Sequence, residues 1–261
     1  AETWSSGYIY EPWTGFREKP RRGQYVNVFP DGYRQTPGIP QEPKRQVVLL
    51  GGSTMFGYNA TDGQTIAAFL QQMVAADPDI PSTEIRNYGR AHYYSEQEFI
   101  LLLQILKKET ARPRVVVFLD GYNEKPPVYT QELAEIFQTI QEKGEGKLLM
   151  KLLLKRSPMM LVLRRVLPMF FRSDPVWSPK DYELTEAQIA ERYQRYLAVQ
   201  EDARAICRLY HITPFFFLQP IAGFHNNFTS HLQEVDIVAN KYKGMLMERM
   251  AAAQSLMAFP L

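Results

Sequence analysis

The sequence predicts an α/β fold, a parallel sheet with helices on both faces. Three strand-like runs, residues 47–50, 84–88 and 114–119, each end in glycine or in a small polar group. Between and after them lie segments whose apolar residues recur at helical spacing, so strands and helices alternate as the crossovers of a parallel sheet require. The first and third runs, Val47-Val48-Leu49-Leu50 and Val115-Val116-Val117-Phe118-Leu119, are continuously apolar, the pattern of strands covered on both faces.

Residues 1–46 are rich in Pro, Gly and Tyr and poor in helical signals. They read as an extended arm that wraps the domain, with an edge strand at Tyr25–Phe29 and a turn at Pro30-Asp31-Gly32. Residues 47–261 read as the α/β domain itself. Strand 47–50 leads to a helix near 64–76. Strand 84–88 leads to a helix near 95–108 carrying Phe99, Ile100, Leu102, Leu103, Ile105 and Leu106. Strand 114–119 leads to a helix near 130–142. A helical insertion over 144–175 follows, then a long helix near 184–210, a fourth core strand at Thr213–Leu218 and a closing helix near 232–256.

Composition narrows the functional classes. A chain of 261 residues suffices for one α/β core, and 45% apolar and 22% charged residues are ordinary for a globular protein. The single Cys207 excludes an internal disulfide, and its helical context, Ala205-Ile206-Cys207-Arg208-Leu209, predicts a core-facing thiol. The dispersed histidines and lone cysteine give no metal set. No glycine-rich loop has phosphate-binding spacing, and no cofactor is expected. The start, Ala1-Glu2-Thr3-Trp4-Ser5, lacks the basic and apolar regions of a signal peptide, leaving open a removed leader or a preceding membrane anchor. No run of 18 uncharged apolar residues could span a bilayer.

The chemistry concentrates at the strand ends. In Gly51-Gly52-Ser53-Thr54-Met55-Phe56-Gly57, the glycines allow a sharp turn and close approach of a substrate. Ser53 then opens the next helix, where free N–H groups can hold an oxyanion. The same position suits a plain helix N-cap, so Ser53 is either a nucleophile or a cap. Gly89 ends the second strand. Asp120-Gly121-Tyr122-Asn123-Glu124 ends the third, where Asn123 is an oxyanion donor or a turn residue. Asp120 and Glu124 are expected to hold this loop by bonds to backbone N–H groups. If the strands are parallel neighbours, Ser53, Gly89 and Asn123 share one sheet edge.

This set resembles the SGNH, or GDSL-type, hydrolase superfamily, in which Ser, Gly, Asn and His come from four separate blocks. The resemblance covers residues 25–260 and extends to a lead-in of Asn27, Gly32, Tyr33 and Arg34. It implies a flavodoxin-like SGNH fold, Ser53 as nucleophile, and Gly89 and Asn123 as oxyanion donors. It also implies O-acyl ester hydrolysis or transfer on an acylated carbohydrate or lipid, as in bacterial cell-envelope members of the branch. Gly52, His92, Tyr122 and His225 are substrate-pocket candidates. The fourth block, Asp-x-x-His, is absent, because none of His92, His211, His225 and His231 has Asp three residues earlier. Two expectations stay open: a chain that continues to its base, or a domain that has lost it and serves as a structural or assembly subunit. His225, in the loop after the fourth strand, is a substitute base or a pocket-shaping residue.

The insertion has its own character. Over residues 144–172, Lys147, Lys151, Lys155, Arg156, Arg164, Arg165 and Arg172 stand against a single acid, Glu145, in a chain of net charge +2. The three lysines repeat at i, i+4, i+8, with leucines between them. The pattern fits a solvated cap over the site, or a surface that docks on an anionic membrane or a protein partner. With this surface, the chain reads as extracytoplasmic or membrane-associated in a bacterium. The insertion lacks the interleaved aromatics of a nucleic-acid groove, so no nucleic-acid partner is expected.

Overall fold

The computed structural model describes residues 7–108, 112–124, 185–220 and 244–252. These belong to one unit made of residues 1–125 and 184–261. Its centre is a four-stranded sheet of β5 (Arg45–Gly51), β6 (Thr83–Asn87), β7 (Val115–Asp120) and β8 (Thr213–Leu218) in the order β6-β5-β7-β8, all neighbours parallel. The strand order reverses at β5, with β6 on one side and β7 on the other. That opens a crevice at the carboxyl ends of these strands, where open α/β sheets bind ligands.

The apolar runs form strands because both faces are covered. Val48 and Leu50 point to one side, where α3 (Ser95–Lys108) and α4 (Glu186–Leu209) bring Leu102, Leu106, Ala203 and Cys207 into one cluster with Val116 and Phe118. Leu49 points to the other side, against Ile85, Met55 and Ala67 of α2 (Ile66–Ala76). Cys207 is a buried free thiol, pushed up to about 11 by burial, as its helical context predicts. Thr185 caps α4 by accepting from the Gln188 N–H, while the Gln188 side chain returns to Thr185, the reciprocal box that starts helices.

Three expectations need adjustment. Ser53 opens only a one-turn helix, α1 (Ser53–Phe56), not the long helix, which begins at Ile66. Gly57 ends it in the left-handed conformation at φ 84°, where an added Cβ would lie 2.7 Å from Thr65 Cγ2. The fourth strand, read as core, is an edge among the described residues, with Phe215 47% and Phe217 52% exposed. Phe216 instead stacks on Phe118, with ring centroids 4.9 Å apart. Pro214, lacking a ladder donor, suits such an edge. The predicted edge strand at Tyr25–Phe29 shrinks to β4 (Asn27–Val28), paired antiparallel with β3 (Arg21–Arg22).

Ahead of these lies a hairpin of β1 (Tyr8–Glu11) and β2 (Gly15–Glu18). The arm is fastened to the sheet at Arg34, whose N–H donates to the Asn87 carbonyl at 2.8 Å. The predicted helix at 130–142, the insertion at 144–175 with Lys147, Lys151, Lys155, Arg156, Arg164 and Arg165, and the loop of His225 lie outside the described residues. Of the closing helix, residues 244–252 are described and helical. No helix among the described residues is long and apolar enough to cross a membrane.

Candidate active site

β5 delivers Gly51-Gly52-Ser53 to the carboxyl edge of the sheet, between the ends of β6 and β7. Both glycines are required by what surrounds them. A Cβ on Gly51 would fall 2.6 Å from Met55 Cβ, and one on Gly52 would fall 2.5 Å from the Asn123 amide nitrogen. Asn123 therefore lies against the residue preceding Ser53. Its Nδ2 donates one hydrogen to the Tyr93 carbonyl at 2.9 Å. The second hydrogen has no acceptor among the described residues, nor does Ser53 Oγ have a hydrogen-bond partner among them. The Ser53 carbonyl accepts from the Gly57 and Tyr58 N–H groups at 3.0 and 3.1 Å, which tightens the turn. The N–H groups of the first helical turn have no intrahelical acceptor. Ser53 and Asn123 are both half-buried, so both border solvent.

Gly89 plays a different part from the one expected of it. Its N–H is already given to Asn87 Oδ1 at 3.0 Å. A Cβ on it would overlap the Phe56 backbone nitrogen, so the residue packs flat against the backbone of α1. Its absent side chain lets the helix of Ser53 sit on the end of β6. Asn87, fully buried, completes this joint by donating Nδ2 to the Met55 carbonyl at 2.9 Å. In the sequence, Asn87 is legible only as a polar residue ending a strand of mixed character. The structure thus brings Ser53 and Asn123 together at the sheet edge and places Gly89 behind them as a packing residue.

Of the pocket candidates, Gly52 touches Asn123 as described. His92 is exposed and holds φ 61° in the loop between β6 and α3, and Tyr122 is half-buried beside Asn123. Phe56 and Gly57 are held from outside by Arg34, which is fully buried. Its Nη1 donates to the Phe56 and Gly57 carbonyls at 2.8 and 2.6 Å, Nη2 donates to the Ala60 carbonyl at 2.6 Å, and Nε pairs with Asp62 at 2.9 Å. Asn27 Nδ2 donates to the same Asp62 carboxylate at 2.7 Å. The lead-in residues Asn27 and Arg34 are therefore a brace for the turn that carries Ser53.

Beneath the edge lies a buried group of carboxylates. Glu124 Oε1 accepts from the Ser95 N–H at 3.0 Å and Oε2 from the Ser95 hydroxyl at 2.8 Å, which pins the Asn123 loop to the start of α3. Burial and the nearby Asp120 push Glu124 up to about 8 against the pull of these bonds. Burial pushes Asp120 up to about 6, and the proton held by Glu98 lowers it. Glu98, 1% exposed, is raised well above the carboxylate range by burial first and by Asp120 second. Among the described residues, neither Glu98 oxygen has a hydrogen-bond partner, and neither has Asp120 Oδ1. A protonated Glu98 removes one of two like charges buried side by side, which is the direction in which both groups are shifted. Glu124 is the loop-holding carboxylate that the sequence suggests, whereas Asp120 is buried beside another acid, Glu98, and its Oδ1 accepts from no backbone N–H among the described residues. Among the described residues no group of three or more His, Cys, Asp or Glu is arranged to hold a metal ion.

A concavity of about 930 Å³ is lined by neither Ser53 nor Asn123. It is an apolar groove on the α2 side of the sheet, lined by Leu49, Met55, Phe69, Met73, Phe215 and Phe217. Among the described residues, Asp77 is its one charged lining residue.

No protein-family model and no curated protein matches the sequence. Among solved structures, the chain is similar to the SGNH-hydrolase family esterase AlinE4 at 15% identity and TM-score 0.30, covering 65% of this chain and 98% of that one. A point mutant of the same esterase aligns over 40% of this chain and 57% of that one, at 18% identity and TM-score 0.29. A lipolytic protein of the G-D-S-L family from Veillonella parvula aligns at 13% identity and TM-score 0.27, covering 77% and 96%. The parallel order β6-β5-β7-β8, with Gly-Gly-Ser, Gly89 and Asn123 at three adjacent strand ends, makes this an open α/β fold with a parallel sheet.

Proposed function

We propose that the protein is a serine-dependent O-acyl ester hydrolase or acyltransferase acting on an acylated carbohydrate or lipid of a bacterial cell envelope. The observation that carries this reading is the packing of the Asn123 amide against Gly52, beside a serine that borders solvent at the carboxyl edge of the sheet. Ser53 Oγ attacks the acyl carbonyl, and the carbonyl π electrons move onto its oxygen. The Ser53 N–H and the second Asn123 N–H receive that oxyanion. The alcohol departs with a proton, leaving an acyl-serine that water or a second hydroxyl cleaves. A histidine outside the described residues takes the Ser53 proton. The lysine and arginine set of residues 147–165 supplies the membrane or partner surface, and the protein works outside the cytoplasm or at a membrane.

Labelling of the natural protein by a fluorophosphonate probe tests the reading. Labelling is expected to vanish in Ser53→Ala and to slow by about 10²–10³ in Asn123→Ala. A protein that takes no label at Ser53 while folded would favour a second reading, an inactive SGNH-like domain serving as an assembly subunit. That reading draws on the absence of Asp-x-x-His from residues 1–261.

A further inference from the structure

The hairpin β1–β2 carries a row of rings that the fold does not fully bury. Its register sets Tyr10 opposite Phe16 and Tyr8 opposite Glu18. Opposed residues and residues two apart share a face, so Tyr8, Tyr10, Phe16 and Glu18 lie on one face, and Ile9, Glu11 and Arg17 on the other. The first face is tied to the loops of the candidate site at several points. Glu18 Oε1 accepts from the Ala91 N–H at 2.7 Å. The Phe16 ring meets the Tyr93 ring edge-on at 5.6 Å, and the Tyr93 hydroxyl donates to the Phe16 carbonyl. Tyr93 is the residue whose own carbonyl holds Asn123. On the other flank, the Tyr8 and Tyr58 hydroxyls are 3.0 Å apart, and the Tyr58 N–H donates to the Ser53 carbonyl.

The hairpin is also held firmly at its tip. Gln97 donates to the Thr14 carbonyl at 2.7 Å and Gln104 to the Pro12 carbonyl at 2.8 Å. Despite these anchors, Tyr8 is 47%, Tyr10 78% and the tip residue Trp13 84% exposed. Exposed aromatic groups on a braced element mark a contact surface. Each of these three rings has a polar handle, and none of the large exposed groups of the hairpin is aliphatic. That mixture suits a sugar ring, which offers an apolar C–H face to an aromatic ring and hydroxyls to its polar rim. Two strand steps separate Tyr8 from Tyr10 by roughly 7 Å, wide enough for both rings to meet one sugar chain. A membrane would favour unpaired basic residues beside the rings, but Arg17 is paired with Glu11 at 2.6 Å on the opposite face.

We propose that the Tyr8–Tyr10–Phe16 face of the hairpin, extended by Trp13, is a carbohydrate-binding platform that presents an acylated glycan chain to Ser53. The presentation step rests on the reading of Ser53 as a nucleophile; the binding step does not. Calorimetric titration of the protein with cellopentaose, N-acetylchitopentaose and a mannuronate pentamer tests it. At least one is expected to bind saturably, with Kd on the order of 0.1–1 mM. Tyr10→Ala should weaken that binding at least tenfold and the Tyr10→Ala, Trp13→Ala double variant abolish it, with melting temperatures unchanged because both side chains are exposed. Tyr10→Phe should retain most of the affinity, and Ser53→Ala all of it.

No binding by any of the three sugars overturns the platform, as does binding that the double variant leaves unchanged. Co-sedimentation with phosphatidylglycerol vesicles that is lost in the double variant, without sugar binding, would assign the rings to a membrane instead. Sugar binding that depends on Tyr10 in a protein whose Ser53 takes no fluorophosphonate would keep the platform and reject the nucleophile.

Discussion

Asn123 and Gly52 occupy one another's space. The Asn123 amide nitrogen stands 2.5 Å from where a Cβ on Gly52 would be, while donating to the Tyr93 carbonyl. Gly52→Ala must therefore displace the amide or the turn. Loss of one oxyanion donor costs about 10²–10³ in rate. Ser53 labelling in Gly52→Ala is expected to fall by that order, with a folded circular-dichroism spectrum. Labelling at the wild-type rate would show that Asn123 is not a donor.

Gly89→Ala tests the packing role that replaces the expected donor role. Its Cβ would overlap the Phe56 nitrogen, and backbone cannot swing aside as a side chain does. Overpacking of this kind costs about 1–3 kcal/mol or more. Urea unfolding should show a lower midpoint with an unchanged slope. An unshifted midpoint would contradict the flat contact between Gly89 and α1.

Arg34→Lys is expected to be far from conservative. The guanidinium serves Asp62 and three carbonyls at once from a fully buried position, and a single ammonium cannot reproduce that planar fork. Removing one partner of a buried pair costs about 3–5 kcal/mol. Guanidinium chloride unfolding of Arg34→Lys should lose a large part of this, and Arg34→Ala all of it. Stability equal to wild type in both would show that the brace contributes nothing to folding.

The buried acids make stability depend on pH with a definite sign. Asp120 is raised to about 6 and Glu124 to about 8, against values near 4 for unfolded carboxyls. The folded state thus holds protons that the unfolded chain releases. Stability from this group is fully present below pH about 4 and is lost as pH rises through about 6 and then about 8. Melting temperature should fall between about pH 5 and pH 8. Glu98→Gln supplies Asp120 with a permanent amide donor and should flatten that fall. An equal slope in wild type and variant would rule out proton sharing between Glu98 and Asp120.

Much of this arrangement is legible in the linear chain because it depends on local pattern. Val47–Leu50 and Val115–Leu119 are apolar on both faces, so they have to be covered strands, and a strand followed at once by Gly-Gly-Ser or Gly-Tyr-Asn ends in a turn wherever it is placed. The α/β class and the neighbourhood of Ser53 and Asn123 follow from that. What a group bonds to across the fold is decided only by tertiary structure. Gly89 reads as a donor because it ends a strand, but the side chain of Asn87, two residues back and turned by the strand end, takes its N–H. Glu98 reads as an ordinary helix acid until α3 lays it against Asp120. Tyr8, Tyr10 and Phe16 read as part of an irregular arm until hairpin register puts them on one face and Tyr58 and Tyr93 fix that face beside the site. Periodicity reports which residues want to leave water; the partners that polar groups find there, and where exposed rings are aimed, depend on contacts between segments tens of residues apart.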